Sequence, residues 1–221
     1  MRNVFDHCEV VVFDWDGTVA DSVAQVVQAI QQAGAALALT LPAADVIRPL
    51  VGLGLDEMLQ RLLPASAAAI RDDFLNAYRR CYFGRRQRTD ILFAGMSELL
   101  SALRGQGRRL AVATGKSRAG LDRALLDNGL NRCFEATRCA EEGLPKPDPW
   151  MLQSLASEMQ VSAGQMVMVG DSVYDLQMAQ AFGCACIGVY YDTGSVLPLQ
   201  HGDADALAAS VADLAALLGC C

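Results

Sequence analysis

The sequence predicts an α/β fold: a Rossmann-like parallel sheet with helices on both faces, plus an all-helical domain inserted after the first strand. Three observations predict it. The run Val10-Val11-Val12-Phe13 is short, β-branched and continuous, the pattern of a strand buried on both faces. From residue 20 to residue 91 only helical patterns occur, punctuated by Pro42, Gly52, Gly54 and Pro64. Beyond Gly95 short apolar runs alternate with helices of about ten residues, as in βαβ units.

Each element has its own local reason. The first strand runs into Asp14-Trp15-Asp16-Gly17-Thr18. Asp21-Ser22 then offers N-cap residues to a helix whose Val23, Val26, Val27 and Ile30 recur at helical spacing. Helices are expected over Ala44 to Leu50, Leu55 to Leu63 and Ala65 to Phe83. Met96 to Leu103 is the next, stopped by Gly105 and Gly107. Leu110 to Thr114 is a strand, Ser117 to Leu125 a helix ending near Asn128-Gly129, and Phe134 to Thr137 a weak strand. A helix starts with proline at Pro149 and runs to Met159. Met166 to Val169 and Cys184 to Val189 are strands separated by a helix from Val173 to Phe182. Asp205 to Leu207 is a last short strand before a helix from Ser210 to Leu218. The 221 residues suit one core plus an insertion. The expected division is a core of residues 1–19 and 92–221 and a helical domain of residues 20–91.

Composition excludes several classes of function. Hydrophobic residues make up 52% and charged residues 19%, so the chain can bury a core and is not a disordered tail. No apolar run is long enough to span a bilayer. The first ten residues carry Arg2, Asp6 and Glu9 and lack the apolar stretch of a secretory signal. A net charge of −7 argues against a nucleic-acid partner, which would need a basic footprint. The eight cysteines are irregularly spaced, which fits free thiols in a cytoplasmic protein. Cys184, Cys186, Cys220 and Cys221 read better as small hydrophobes than as zinc ligands. Of the 18 cations only Lys116 and Lys146 are lysines, compact point charges in an arginine-rich chain.

Ligands of an open parallel sheet bind beyond the carboxyl ends of its strands. Those ends carry Asp14 and Asp16, then Thr114-Gly115-Lys116-Ser117, then Gly170-Asp171-Ser172 and Asp175, with Pro145-Lys146-Pro147 before a later helix. The set suits a phosphate monoester. Asp14 and Asp171 come from separate strands and can converge on one hard cation such as Mg²⁺. A carboxylate that attacks a phosphate dianion meets like charge, which a divalent ion and a fixed lysine offset. Backbone N–H groups at Thr114-Gly115 can hold phosphate oxygens.

These four pieces, in this order, resemble the motifs of the haloacid dehalogenase superfamily, in its phosphoglycolate-phosphatase-like branch. Asp14-Trp15-Asp16-Gly17-Thr18 resembles motif I, Thr114-Gly115 motif II, Pro145-Lys146-Pro147 motif III and Gly170-Asp171-Ser172-Val173-Tyr174-Asp175 motif IV. The resemblance implies a Mg²⁺-dependent phosphatase of a small phosphorylated metabolite, with a helical cap over the strand ends. It implies Asp14 as the nucleophile and Asp16 as the acid and base. Asp14, the backbone carbonyl of Asp16, and Asp171 would bind the metal. Thr114, Gly115 and Lys146 would hold the phosphoryl oxygens, with Asp175 and Ser172 behind them. Thr114 and Ser172 also fit simple helix caps, and Asp175 fits an acid at a helix start.

Residues separate the sub-readings. Asp16 argues for phosphate rather than halide chemistry, because an alkyl halide needs no protonated leaving group. No lysine stands between residues 20 and 91, so the Schiff-base lysine of a phosphonoacetaldehyde hydrolase is missing. A β-phosphoglucomutase-like mutase shares the core set and is the alternative, and a non-catalytic binding member is a third reading. In the cap, Arg48 beside Gly52-Leu53-Gly54 is the expected contact for a substrate anion. Arg79, Arg80, Arg85, Arg86 and Arg88 read as a solvated helix end or a patch that steers anions. Lys116 reads as a solvated side chain beside motif II, and His7 and His201 as surface residues.

Overall fold

The computed structural model describes residues 4–63, 70–84, 91–191 and 204–220. Six strands form one parallel sheet: β1 (Val10–Phe13), β2 (Arg109–Thr114), β3 (Ala136–Cys139), β4 (Met166–Gly170), β5 (Ala185–Val189) and β6 (Ala206–Ala208). Their spatial order is β3-β2-β1-β4-β5-β6. β1 is central, with Phe13 opposite Val112 on one side and Val169 on the other. The winding reverses between β1 and β4, which opens a crevice at the carboxyl ends of these two strands.

Successive side chains of β1 point to opposite faces. Val11 and Phe13 pack with α5 (Met96–Gly105), α6 (Arg118–Asp127) and α9 (Val211–Leu217). Val10 and Val12 pack with α7 (Trp150–Met159) and α8 (Val173–Phe182). All four β1 residues are fully buried, so a strand without alternation is what two covered faces require.

The helical insertion holds α1 (Val23–Ala36), α2 (Ala44–Ile47), α3 (Leu55–Leu62) and α4 (Arg71–Phe83). Val26, Ile30, Ile47, Leu59 and Phe74 build a hydrophobic cluster of its own, separate from the two that cover the sheet. The chain leaves the sheet and returns to it side by side. Ala20 pairs antiparallel with Leu92, the Asp21 N–H donates to the Ile91 carbonyl at 2.8 Å, and the Phe93 N–H donates to the Val19 carbonyl at 3.2 Å.

Three expected elements differ in detail. The helix expected over Ala44 to Leu50 breaks into α2 and a 3-10 turn, Arg48–Leu50, at Pro49, which has no N–H to continue the ladder. The third strand starts two residues late, because Phe134 turns inward and meets Phe13 and Trp15 edge-on, with ring centroids 6.4 and 6.3 Å apart. The helix expected from Ala65 is described from Arg71, and residues 64–69 lie outside the described residues. Among the described residues no helix is long and apolar enough to cross a membrane. The described cysteines are free, with Cys8, Cys139, Cys184 and Cys186 buried; Cys221 lies outside the described residues.

Candidate active site

β1, β2 and β4 deliver their following residues to one edge. Asp14 comes directly after Phe13, and its N–H donates to the Val169 carbonyl at 2.9 Å, so its backbone is still held by the sheet. Its side chain is 1% exposed. Burial pushes this carboxyl up to about 7, against the opposing pull of the Lys146 ammonium. Asp171 follows β4 in the same way. Desolvation and the neighbouring Asp14 and Asp175 charges raise it well above the usual carboxylate range.

Lys146 reaches this edge from the loop before α7. Its ammonium, fully buried, donates to Asp14 Oδ1 at 2.5 Å and to Asp175 Oδ1 at 2.6 Å. Burial alone would push Lys146 down, but the two carboxylates outweigh it and hold it above the usual lysine range. The second oxygen of Asp175 accepts from the Ser172 N–H at 3.1 Å and the Ser172 hydroxyl at 2.6 Å. This is the capping box of α8. Asp175 and Ser172 thus start the helix and fix Lys146 at once, so the capping and positioning readings hold together.

Two glycines make room for this packing. Gly17 sits at φ +88°, and a Cβ there would come within 2.1 Å of Asp171 Oδ2. A Cβ at Gly170 would come within 2.3 Å of the Asp175 carboxylate carbon. Thr18, in the same turn as Gly17, donates its hydroxyl to Asp171 Oδ1 at 3.3 Å.

The donors fit a hard divalent cation. Asp14, Asp171 and Asp175 each offer one carboxylate oxygen, and the three lie within 4.8 Å of one another. Asp14 Oδ2 is buried with no hydrogen-bond partner among the described residues. Three carboxylates face one ammonium here, so ionising all three would leave two negative charges uncompensated in a desolvated site, which is why Asp14 and Asp171 are raised. A cation with two positive charges and a preference for oxygen ligands answers both features. The side chain of Asp16 stands outside this trio.

Asp16 belongs to a second cluster. Its Oδ1 accepts from the Ser22 hydroxyl and lies 3.0 Å from Lys116 Nζ. Ser22 stands at the N-cap of α1, but its side chain makes no cap bond there. Lys116 is buried rather than solvated, which corrects the reading from sequence. Its ammonium donates to the Tyr82 hydroxyl at 3.0 Å and lies 4.9 Å from the Tyr82 ring centroid. Thr114, 1% exposed, uses its Oγ1 to accept from the Lys116 N–H at 3.2 Å. Sequence reasoning missed Ser22, Thr18 and Tyr82 as parts of the site. Ser22 carried a signal as an N-cap residue and Thr18 as the last residue of the motif I match, while Tyr82 carried none.

The insertion closes over this edge. Leu53 and Gly52 carbonyls would lie 2.4 and 2.7 Å from a Cβ at Gly115, so this backbone contact needs glycine. Arg61 of α3 donates to the Tyr174 hydroxyl of α8 at 3.3 Å. A cavity of about 550 Å³ remains between the two parts, walled by Asp16, Lys116, Gly115, Tyr78, Arg79 and Tyr82 together with Val51 to Gly54. Arg48 is half-buried in the 3-10 turn before this wall, and among the described residues Arg79 is the arginine that lines the cavity. Arg85, Arg86, Arg88 and His201 lie outside the described residues, and His7 is exposed.

Known proteins resemble the chain in sequence and in fold. The model of the haloacid dehalogenase-like hydrolase family matches residues 8–183. The plasmid-borne phosphoglycolate phosphatase of Cupriavidus necator is 33% identical over 223 residues, covering 99% of this chain and 96% of that protein. The phosphoglycolate phosphatase of Vibrio parahaemolyticus is 30% identical over 215 residues, covering 93% and 94%. A crystal structure of a predicted phosphoglycolate phosphatase from Haemophilus somnus superimposes with a TM-score of 0.83 at 23% identity, over 96% of this chain and 98% of that one. The chain belongs to the haloacid dehalogenase-like hydrolase family.

Proposed function

We propose that the chain is a Mg²⁺-dependent phosphatase of small phosphate monoesters of the phosphoglycolate class, acting on a phosphorylated metabolite in the cytoplasm. The observation that carries this reading is Asp14 Oδ2: a buried carboxylate oxygen with no hydrogen-bond partner among the described residues, beside a fixed ammonium. The names of the Cupriavidus and Vibrio relatives support the substrate class. Residues 1–19 and 92–221 form the chemical core in this reading, and residues 20–91 the cap.

Asp14 attacks phosphorus, and the bond from phosphorus to the leaving oxygen breaks. Asp16 gives its proton to that oxygen, so an alcohol leaves rather than an alkoxide. Water then loses a proton to Asp16 and attacks the aspartyl-phosphate, which frees Asp14 and inorganic phosphate. Lys146, held between Asp14 and Asp175, faces the phosphoryl oxygens as a pre-placed cation. Thr114 and the Gly115 N–H meet the same oxygens at the end of β2. Asp14, Asp171 and the backbone carbonyl of Asp16 would hold Mg²⁺, with Asp175 at the edge of the set; the ion supplies charge to offset the dianion.

The test is phosphate release from a panel of phosphorylated metabolites, with Mg²⁺ and with EDTA. Turnover of phosphoglycolate or a close analogue in Mg²⁺, abolished by EDTA, is expected. No release from any ester in Mg²⁺ would refute the reading.

A further inference from the structure

Tyr82 and Lys116 are joined to Asp16 in a way the phosphatase reading does not use. Among the described residues, both side-chain donors to Asp16, the Ser22 hydroxyl and the Lys116 ammonium, meet the same oxygen, Oδ1. Oδ2 is therefore the oxygen left for a ligand in the cavity that Asp16 lines. Lys116 is itself held at its far side by the Tyr82 hydroxyl at 3.0 Å. Tyr82 is buried on α4, in the insertion, and its ring stacks on Tyr78 and meets Phe83 edge-on. Lys116 and Asp16 follow strands of the sheet. The chain Tyr82–Lys116–Asp16 therefore runs from the insertion, across the cavity wall, to the carboxyl group assigned to the leaving oxygen.

We propose that Tyr82 and Lys116 are positioning residues that make the placement of Asp16 depend on the insertion being closed. This rests on the phosphatase reading and on Asp16 as its acid. With the insertion seated, the Tyr82 hydroxyl fixes the Lys116 ammonium, and that ammonium and Ser22 together pin Oδ1 and turn Oδ2 to the leaving group. With the insertion lifted, the Tyr82 hydroxyl departs with α4 and the ammonium loses an anchor. Proton delivery is then tied to an enclosed site, which limits premature loss of water-sensitive intermediates. The role is orientation, so it falls on substrates in proportion to their need for a proton.

That need separates the proposal from a structural role. An alkyl ester leaves as a strongly basic oxygen and needs the proton. p-Nitrophenyl phosphate leaves as a stabilised phenolate and does not. The parameter kcat/KM reports events up to transfer of the phosphoryl group to Asp14, so the base role of Asp16 in the second step does not enter. The experiment measures kcat/KM for phosphoglycolate, or the fastest alkyl ester of the panel, against p-nitrophenyl phosphate in wild type, Tyr82→Phe and Lys116→Met. Tyr82→Phe keeps the stacked ring and removes only the hydroxyl. The alkyl-to-aryl ratio is expected to fall about tenfold in Tyr82→Phe and further in Lys116→Met. Parallel losses on both esters, or an unchanged ratio, overturn the proposal. Should Lys116→Met fail to fold, Tyr82→Phe alone decides. A wild type that hydrolyses neither ester overturns the phosphatase reading itself, a separate outcome.

Discussion

Lys146→Met exposes how tightly charge is balanced at the strand ends. The ammonium is fully buried and touches Asp14 at 2.5 Å and Asp175 at 2.6 Å, with Asp171 in the same cluster. Methionine keeps the unbranched stem and the volume, so the change removes charge with little cavity. Breaking a buried ion pair by deleting one partner costs about 3–5 kcal/mol, because the other partner stays buried and uncompensated. In a chain of this size that corresponds to a fall in Tm of roughly 6–20 °C. The sign of the pH dependence follows from Lys146 lying above the usual lysine range. Its stabilisation is whole at every pH below the ordinary lysine pKa of about 10.4, and is lost only as pH rises through the higher folded value. The variant can relieve its surplus charge by protonating a carboxyl, and Asp14 is already raised to about 7 in the intact protein. The deficit should therefore be largest at alkaline pH and shrink toward about pH 5. Thermal melts in EDTA across that range provide the assay. Adding Asp175→Asn removes one uncompensated charge and should restore part of the Tm without restoring turnover. A loss below about 1 kcal/mol, or a double variant less stable than Lys146→Met alone, would refute the charge-balance argument.

Asp14→Asn should fold normally and keep less than about 1% of kcat, a loss above roughly 2.7 kcal/mol, as read by phosphate release; greater residual turnover would displace Asp14 as the nucleophile. Mg²⁺ should raise the Tm of the wild type, and Asp171→Asn should raise the Mg²⁺ concentration needed for half-maximal activity at least tenfold; an unchanged titration would remove Asp171 from the metal set. Arg79 lines the cavity and Arg48 sits before its wall. Arg48→Ala is expected to raise KM for phosphoglycolate by about tenfold, near 1.4 kcal/mol, while p-nitrophenyl phosphate is little affected; if Arg79→Ala does this instead, the specificity contact lies on α4.

The core of the site was legible because two simple rules place it. A β-branched run without alternation marks a buried strand, and ligands gather where such strands end. Asp14 and Asp171 each directly follow a strand and Thr114 ends one, so naming the strands placed the acids. The glycines were legible too, though their reason was not: Gly17 is fixed by the Asp171 carboxylate at the end of β4, and Gly170 by the Asp175 carboxylate in the first turn of α8. The second cluster was hidden. Whether Lys116 is solvated depends on what lies above the end of β2, and that is α4 of the insertion, joined to it by a hydrogen bond between residues 34 apart. No local period records how an insertion is seated. Ser22 shows the same limit, since its type and place signalled a helix cap while its hydroxyl serves Asp16. Phe134, an apolar residue at a strand start, was assigned to the strand because sequence cannot show that two aromatic rings of β1 and the following turn draw it inward.

The scarcity of lysine acquires a physical reason in the structure. Two of the 18 cations are lysines, and both are buried against the acids at the strand ends. Lys146 lies between Asp14 and Asp175, and Lys116 between Asp16 and Tyr82. A buried ammonium has three donors on one atom and needs only a narrow channel for its stem. A guanidinium in the same place would spread five donors over a plane, and those without acceptors would be stranded in a dry site. In the proposed mechanism its width would also intrude where a phosphoryl group approaches Asp14. Arginine serves at the periphery, where forked pairs such as Arg118 with Glu142 and Arg109 with Glu135 have solvent beside them. Each lysine also answers a different carboxylate: in the proposed mechanism one cation braces the attacking acid and the other the acid at the leaving oxygen. That separation lets the two aspartates, only two positions apart in the chain, do different work.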